Sequence, residues 1–369
     1  MNIAVFHELP FGGARDGVYH FCKELTKNGA VVDLYYVNNK KIERNNSFFR
    51  NVYYYRFIPK KWVGNDWRAR LYIDTIELYK LNGLHKKIAQ KINSNNYDFL
   101  FINGSKYIEA PFILKYLSAF KVFYCHDPNY RIIYEKILLK SLNNLNFLKR
   151  NYERINRSIR KYLDKINFNK TDLIIANSIF SKKIIEKTYS RISKVVYPGV
   201  DINFFTPKKE TKNIDIFYIG SYEKIDGFDL LKKTLLNLPD DIVLKTKMHE
   251  DGWISDYGMI RDFYRQSNLV ICLSFSEPFG SVPIEAMACG VPVIAVNEGG
   301  YKETIVDGKT GYLVKRDSRV LAEKINLLLK NPSLARKLGE NGRKHVLKNF
   351  TWEKSTKKLE NLFSELLNE

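Results

Sequence analysis

Two carboxylates, Glu277 and Glu285, stand eight positions apart within Ser274-Phe275-Ser276-Glu277-Pro278-Phe279-Gly280-Ser281-Val282-Pro283-Ile284-Glu285-Ala286-Met287-Ala288-Cys289-Gly290-Val291-Pro292-Val293-Ile294-Ala295. A carboxylate can accept hydrogen bonds from a pair of hydroxyls. Gly280, between the two, lets backbone approach a ligand closely, and free N–H groups at a helix start favour an anion. Hydroxyl acceptors beside a phosphate cradle suit a nucleotide-diphosphate sugar. The flanking sequence supplies the frame. Leu269 to Leu273 reads as a buried parallel strand, followed by a loop and a helix that turns Ile284, Met287 and Ala288 inward. Gly290 and a second buried strand, Val291 to Val296, complete the unit. Ligands bind such sheets at the loops beyond the carboxyl ends of the strands.

In this setting the pair closely resembles the Glu-x7-Glu motif of family 4 retaining glycosyltransferases with the GT-B fold. Further markers extend the resemblance over most of the chain. They are Gly12-Gly13, Tyr124-Cys125-His126-Asp127-Pro128, Ala176-Asn177-Ser178, Tyr197-Pro198-Gly199-Val200-Asp201 and Asn297-Glu298-Gly299-Gly300…Glu303…Asp307-Gly308…Gly311. The resemblance implies that Glu285 holds the nucleotide ribose and that Glu277 contacts the sugar-ring hydroxyls. The backbone N–H groups after Phe279-Gly280, Ser281 among them, would meet the diphosphate. His126, directly after an apolar strand, would lie against the donor sugar. Gly12 and Gly13 in Gly12-Gly13-Ala14-Arg15-Asp16-Gly17, between the first strand and the first helix, would admit phosphate and acceptor. This run is not Gly-x-Gly-x-x-Gly, which disfavours a dinucleotide site. Glu303 would support the donor site from behind. With no carboxylate nucleophile implied, front-side displacement is the expected retaining mechanism. Neither a metal nor any other cofactor is expected, since helix N-termini and cations can take the phosphate charge.

The departures from the pattern carry information too. Relatives of this kind place an Arg after the glycine that ends the second domain's first strand, and a Lys before a later glycine. Here Gly220 is followed by Ser221, and Gly227 is preceded by Asp226. Lys224 is the nearby cation that could substitute, as a flexible point charge. The segment between Gly227 and Glu277 also reads as one βα element short.

Two halves of alternating strands and helices give an α/β chain. The expected GT-B arrangement is two Rossmann-like domains facing across a cleft. Residues 1–198 form the acceptor domain, with 352–369 crossing back onto it, and residues 199–351 form the nucleotide-sugar donor domain. The first half reads as strands over 2–7, 30–37, 99–103, 121–125, 173–176 and 195–197. Its helices cover 17–27 and a long region from Arg131 to Phe168; the stretch from Val37 to Trp67 is left unassigned.

With 369 residues, 45% of them hydrophobic, two separate cores are expected. No run of about 18 apolar residues marks a transmembrane helix, and Met1 to Phe6 lacks the features of a signal peptide. Cys22, Cys125, Cys272 and Cys289 have no metal-ligand spacing, which fits reduced thiols in the cytoplasm. The net charge of +20 admits nucleic acid, an anionic membrane face or anionic substrates as partners. No nucleic-acid-binding signature accompanies it. Arg131 to Lys194 holds sixteen Lys and Arg against five Asp and Glu, with Ile132, Ile133, Leu138, Leu139, Leu142, Leu145 and Leu148 at helical spacing. That region is a solvated helical face or a surface for the inner face of the membrane. Two functions stay open. One is an active transferase using a UDP- or GDP-sugar and a glycan or lipid-linked acceptor; the other is a GT-B protein of weak or lost catalysis serving as a binding or scaffold subunit.

Overall fold

The computed structural model describes residues 1–41, 47–60, 71–128, 146–251 and 257–367. These divide into two compact units, one of Met1–Asn177, Ser181–Val196 and Leu359–Glu369, the other of Ser178–Phe180 and Tyr197–Lys358. Each has its own parallel sheet and its own hydrophobic core.

The first unit holds strands β1 (Asn2–Glu8), β2 (Val31–Asn38), β3 (Asn51–Arg56), β4 (Phe99–Ser105), β5 (Lys121–Cys125), β6 (Leu173–Ala176) and β7 (Lys194–Val195). They line up as β3-β2-β1-β4-β5-β6-β7, every pair parallel. The central strands are near-continuous apolar runs because helices cover both faces of such a sheet. Helices α1 (Gly13–Lys27), α2 (Leu78–Asn93), α3 (Phe147–Phe168) and α4 (Ile179–Tyr189) alternate with them, and a π-helical turn, Ile73–Glu77, leads into α2. Leu78, Leu81, His85, Ile88, Ala89 and Ile92 put the buried face of α2 at helical spacing.

The structure adjusts several sequence boundaries. The first helix starts at Gly13, not Gly17, so most of the glycine-containing run is its first turn. The N–H of Asp16 already closes on the Gly12 carbonyl at 3.1 Å, and the Asp16 carboxylate suits the positive end of the helix dipole. The strand expected at 195–197 is the two-residue β7, because Tyr197 and Pro198 turn away into the connector. Strand β3 and helix α2 are additions. Of the long helical region from Arg131, the described part is α3. Ile132, Ile133, Leu138, Leu139, Leu142 and Leu145 lie outside the described residues.

The second unit carries β8 (Ile214–Gly220), β9 (Leu244–Met248), β10 (Ser267–Cys272), β11 (Val293–Val296) and β12 (Gly311–Val314) in the order β12-β11-β10-β8-β9. Val270 of β10 lies opposite Val293 on one side and Phe217 on the other, which fixes the register at the centre. The helices are α5 (Phe228–Leu235), α6 (Tyr257–Gln266), α7 (Ser281–Ala288), α8 (Tyr301–Thr304), α9 (Ser318–Lys330) and α10 (Pro332–Asn349). The final helix, α11 (Trp352–Leu367), starts in this unit and from Leu359 onward belongs to the first, where Phe363 stacks on Phe99 at 4.8 Å. Among the described residues no helix is long and apolar enough to cross a membrane.

Two features yield tests. Helix α10 lies so close to the turn after α7 that a Cβ at Gly339 would run into the carbonyl oxygen of Gly290. Gly339→Ala should therefore destabilise the second unit by about 1–3 kcal/mol through overpacking. Chemical denaturation checks this, and unchanged stability would mean that α10 can slide. In the first unit, burial, with Arg15 and His126 nearby, lowers the pKa of His7 to about 3. An unfolded chain protonates this histidine near pH 6.5. The unfolded state thus binds more protons between pH 6.5 and 3. The stabilisation from a neutral His7 is complete above about 6.5 and is lost as the pH falls. The stability gap between the wild type and His7→Gln should narrow by on the order of 2 kcal/mol between pH 6.5 and 4.5. Parallel stability curves for the two proteins would show that His7 takes up its proton while folded.

Candidate active site

The strand order of the second unit changes direction between β8 and β10, and it is beyond the carboxyl ends of strands at such a switch point that ligands of open α/β sheets bind. Two loops meet there, Ser221–Gly227 after β8 and Leu273–Gly280 after β10. Asp226 ties them together. Its carboxylate accepts the hydroxyls of Ser221 and, at 3.3 Å, of Ser274; its carbonyl accepts the Tyr218 hydroxyl at 2.8 Å. The Phe275 N–H adds a bond to the Ile225 carbonyl at 2.8 Å. The Asp226 carboxyl is thus shared between hydroxyls where the resemblance expects a lysine, and the Ser221 hydroxyl is taken up in its network. Lys224, the only cation in that loop, is solvent-exposed in a 3-10 turn.

The loop after β10 owes its path to the absence of side chains opposite. A Cβ on Gly299 would strike the Glu277 carbonyl oxygen, and one on Gly300 would sit 2.6 Å from the Phe279 Cα. Instead the Gly300 N–H donates to the Glu277 carbonyl at 2.7 Å. Ser276, just before Glu277, takes a left-handed φ of 49°, a strained value of the kind that clusters at functional sites. Glu277 is partly exposed on this fixed backbone. The Phe279 side chain points into the core, its ring centroid 5.9 Å from those of Tyr197 and Phe350, so it anchors the loop. Gly280 precedes α7 at φ 96°. No side chain caps that helix, and Ser281 in its first turn is exposed.

Glu285, one turn into α7, accepts the Tyr264 hydroxyl at 2.8 Å. Tyr264 is fully buried, and burial together with the Glu285 carboxylate raises its pKa well above the ordinary value. The phenol therefore stays protonated and donates. Both glutamates lie near Cys272, whose thiol is pushed well up by burial first and then by Glu277 and Glu285. The Tyr301 phenol is raised by burial, then by Glu277. The structure thus gathers Glu277, Glu285, Gly280, Ser281, Ser221 and the backbone of Phe279 around the ends of β8 and β10.

Glu303, on α8, is fully engaged by protein donors. Its Oε2 accepts the Ile179 N–H at 2.8 Å and the Tyr197 hydroxyl at 2.9 Å, and its Oε1 accepts the Phe180 N–H at 2.8 Å. Arg316 went unread in the sequence. Its guanidinium forks onto Glu298 at 2.7 and 2.8 Å, donates to the carbonyls of Leu273 and Ser274, and lies 3.4 Å from the Phe275 ring centroid. It fastens the start of the β10 loop. The available signal was its place directly after β12, at the carboxyl end of a strand. Tyr264 gave no local signal, because its partner is 21 positions away.

In the first unit the order reverses between β1 and β4. His126, just beyond β5, contacts Asn103 at the end of β4, Nε2 to Oδ1 at 3.0 Å. The Asn103 amide nitrogen faces the carbonyls of Phe6 and Phe101, so the hydrogen-bond network assigns the His126 proton to Nε2 and leaves Nδ1 as an acceptor. Burial lowers the His126 pKa to about 3, so the ring is neutral at physiological pH. Gly12 leads into α1 at φ 145°, and a Cβ on Gly13 would meet nothing within 4 Å. The backbone at this helix start is therefore open.

Comparison with known proteins agrees with this architecture. A sequence profile described as Glycosyltransferase Family 4 matches residues 11–204, and one described as Glycosyl transferases group 1 matches residues 244–345. The uncharacterized glycosyltransferase MJ1178 of Methanocaldococcus jannaschii is 31% identical over 234 residues, which is 56% of this chain and 63% of that protein. The match thus spans less than two thirds of that relative. Sucrose-phosphate synthase from Thermosynechococcus elongatus has a similar structure, with a TM-score of 0.73 at 18% identity, over 100% of this chain and 99% of that one. HepE of Anabaena, solved with UDP and glucose, gives a TM-score of 0.70 at 18% identity, over 98% and 99%. At such identities the structures establish the fold, which is GT-B. With the first of the two profiles covering over half its length, the chain belongs to Glycosyltransferase Family 4.

Proposed function

We propose that the chain transfers a sugar, with retention, from a UDP- or GDP-sugar to a glycan or lipid-linked acceptor. The observation that carries this reading is the pair of carboxylates fixed beside the uncapped start of α7. Glu285, held by Tyr264, takes the ribose hydroxyls. Glu277, on its rigid loop, takes the sugar-ring hydroxyls. The first-turn N–H groups of α7 meet the diphosphate, with Lys224 adding a mobile positive charge. Neutral His126 serves as a hydrogen-bonding group toward the sugar. In a front-side displacement the bond from the anomeric carbon to the phosphate oxygen breaks as the acceptor oxygen bonds on the same face. The acceptor's proton passes to the departing phosphate oxygen, so no carboxylate nucleophile is required. The finding of UDP and glucose on HepE supports a UDP-sugar donor.

One observation favours the second reading, a GT-B protein of weak or lost catalysis. Asp226 and Ser221 bond to each other where phosphate-clamping cations were expected. Donor hydrolysis separates the two readings, since a binding subunit would take up nucleotide without turning over the sugar.

Glu277→Gln should keep the wild-type Tm while turnover falls on the order of a hundredfold or more, as when a preorganised group is lost. Near-normal turnover in the folded variant would remove Glu277 from the reaction. Glu285→Ala should chiefly weaken nucleoside diphosphate binding, read by calorimetry as at least a tenfold rise in Kd; an unchanged Kd would break the ribose assignment. Turnover should also survive chelation, because this mechanism assigns the phosphate charge to backbone donors and Lys224. Loss of activity in EDTA that Mg²⁺ or Mn²⁺ restores would overturn that part.

A further inference from the structure

Helix α3 is built inside out. The face it turns to the protein is mostly polar: Glu153, Asn156, Asp164 and Asn167 are buried there, and of its buried residues only Phe168, the last, joins the apolar core. Tyr152 and Asn156 both donate to the Asp74 carboxylate at 2.6 Å, and Arg160 joins them on Asp74 and reaches the Tyr107 carbonyl. Asn167 donates to the Ala110 carbonyl at 2.7 Å, and Asp164 accepts the Ala110 N–H at 3.2 Å. A second face, about a third of a turn away, is apolar. Leu148, Ile155, Ile159 and Tyr162 recur at i, i+7, i+11 and i+14, a single stripe on a 3.6-residue helix, and are 52–66% exposed. An ordinary surface helix has these faces reversed.

Charge identifies what covers the stripe. The helix holds seven Lys and Arg and two acids, Glu153 and Asp164, both buried. Arg154, Lys161 and Lys165 follow one another between the stripe and the buried face, while Arg157 turns inward to within 3.8 Å of Glu153. An apolar strip edged by cations, with every acid turned inward, is complementary to a surface of anionic headgroups over acyl chains. A second copy would bring the same cations face to face across a two-fold axis, which works against self-association.

We propose that α3 is a membrane-docking surface that lays Leu148, Ile155, Ile159 and Tyr162 into an anionic bilayer. The idea extends the proposed function by making a lipid-borne acceptor accessible, but its test is independent of turnover. All four native cysteines are buried, so Ile159→Cys can be labelled selectively with a polarity-sensitive fluorophore. Phosphatidylglycerol vesicles at low salt should shift its emission to the blue, phosphatidylcholine vesicles should not, and high salt should weaken the response. Ile155→Glu combined with Ile159→Glu should cut sedimentation with anionic vesicles at least tenfold while the circular dichroism and Tm hold. No shift with either vesicle, or equal binding by the double variant, would overturn the proposal. So would a blue-shifted emission before any lipid is added, because a second copy or the chain itself would then cover the stripe. Donor hydrolysis in vesicle-free buffer reads the transferase proposal separately.

Discussion

Backbone lies directly on backbone where the loop after β10 meets Gly299 and Gly300, and the geometry of the candidate site depends on that contact. With no Cβ at either glycine, the Glu277 carbonyl reaches the Gly300 N–H at 2.7 Å, and Phe279 can drop into the core. The strained Ser276 conformation is then held from both sides. A carboxylate on so constrained a loop has little freedom left to lose when it engages a ligand, which is the meaning of preorganisation.

The two glutamates are positioned by different means. Glu277 is placed by its main chain. Glu285 is placed through its side chain, by a phenol whose raised pKa keeps it a donor across the physiological range. Asp226 and Arg316 act on a larger scale, knitting the ends of β8, β10 and β12 into one floor. These cross-links join residues tens of positions apart, so the site is a property of the sheet order more than of any one segment.

This explains what the sequence disclosed and what it withheld. The strands over 121–125 and 173–176 were legible because strands buried on both faces are short apolar runs between turn signals. The motif around Glu277 and Glu285 was legible because its loop, helix and strand are contiguous. Strand β3 escaped because its side chains are mostly half-exposed or exposed, as suits a sheet edge. The start of α1 was misplaced because glycines suggest a loop, although a helix's first turn needs no N–H partners and tolerates them. Tyr264 and Asp226 were invisible in their roles, since nothing local distinguishes a tyrosine that will meet a glutamate across the fold.

Helix α3 carries one more consequence, about rotation. A helix normally settles by turning its apolar side inward, and about a third of a turn of α3 about its own axis would carry Ile155 and Ile159 to the buried side. What prevents it is the set of directional bonds that Asp74 and the Ala110 backbone make with its polar side. Hydrogen bonds therefore specify the azimuth of this helix against the pull of the hydrophobic effect, as a keyway fixes a shaft. Such a polar seam tolerates neither slippage nor roll, because every small rotation would leave several desolvated groups without partners at once.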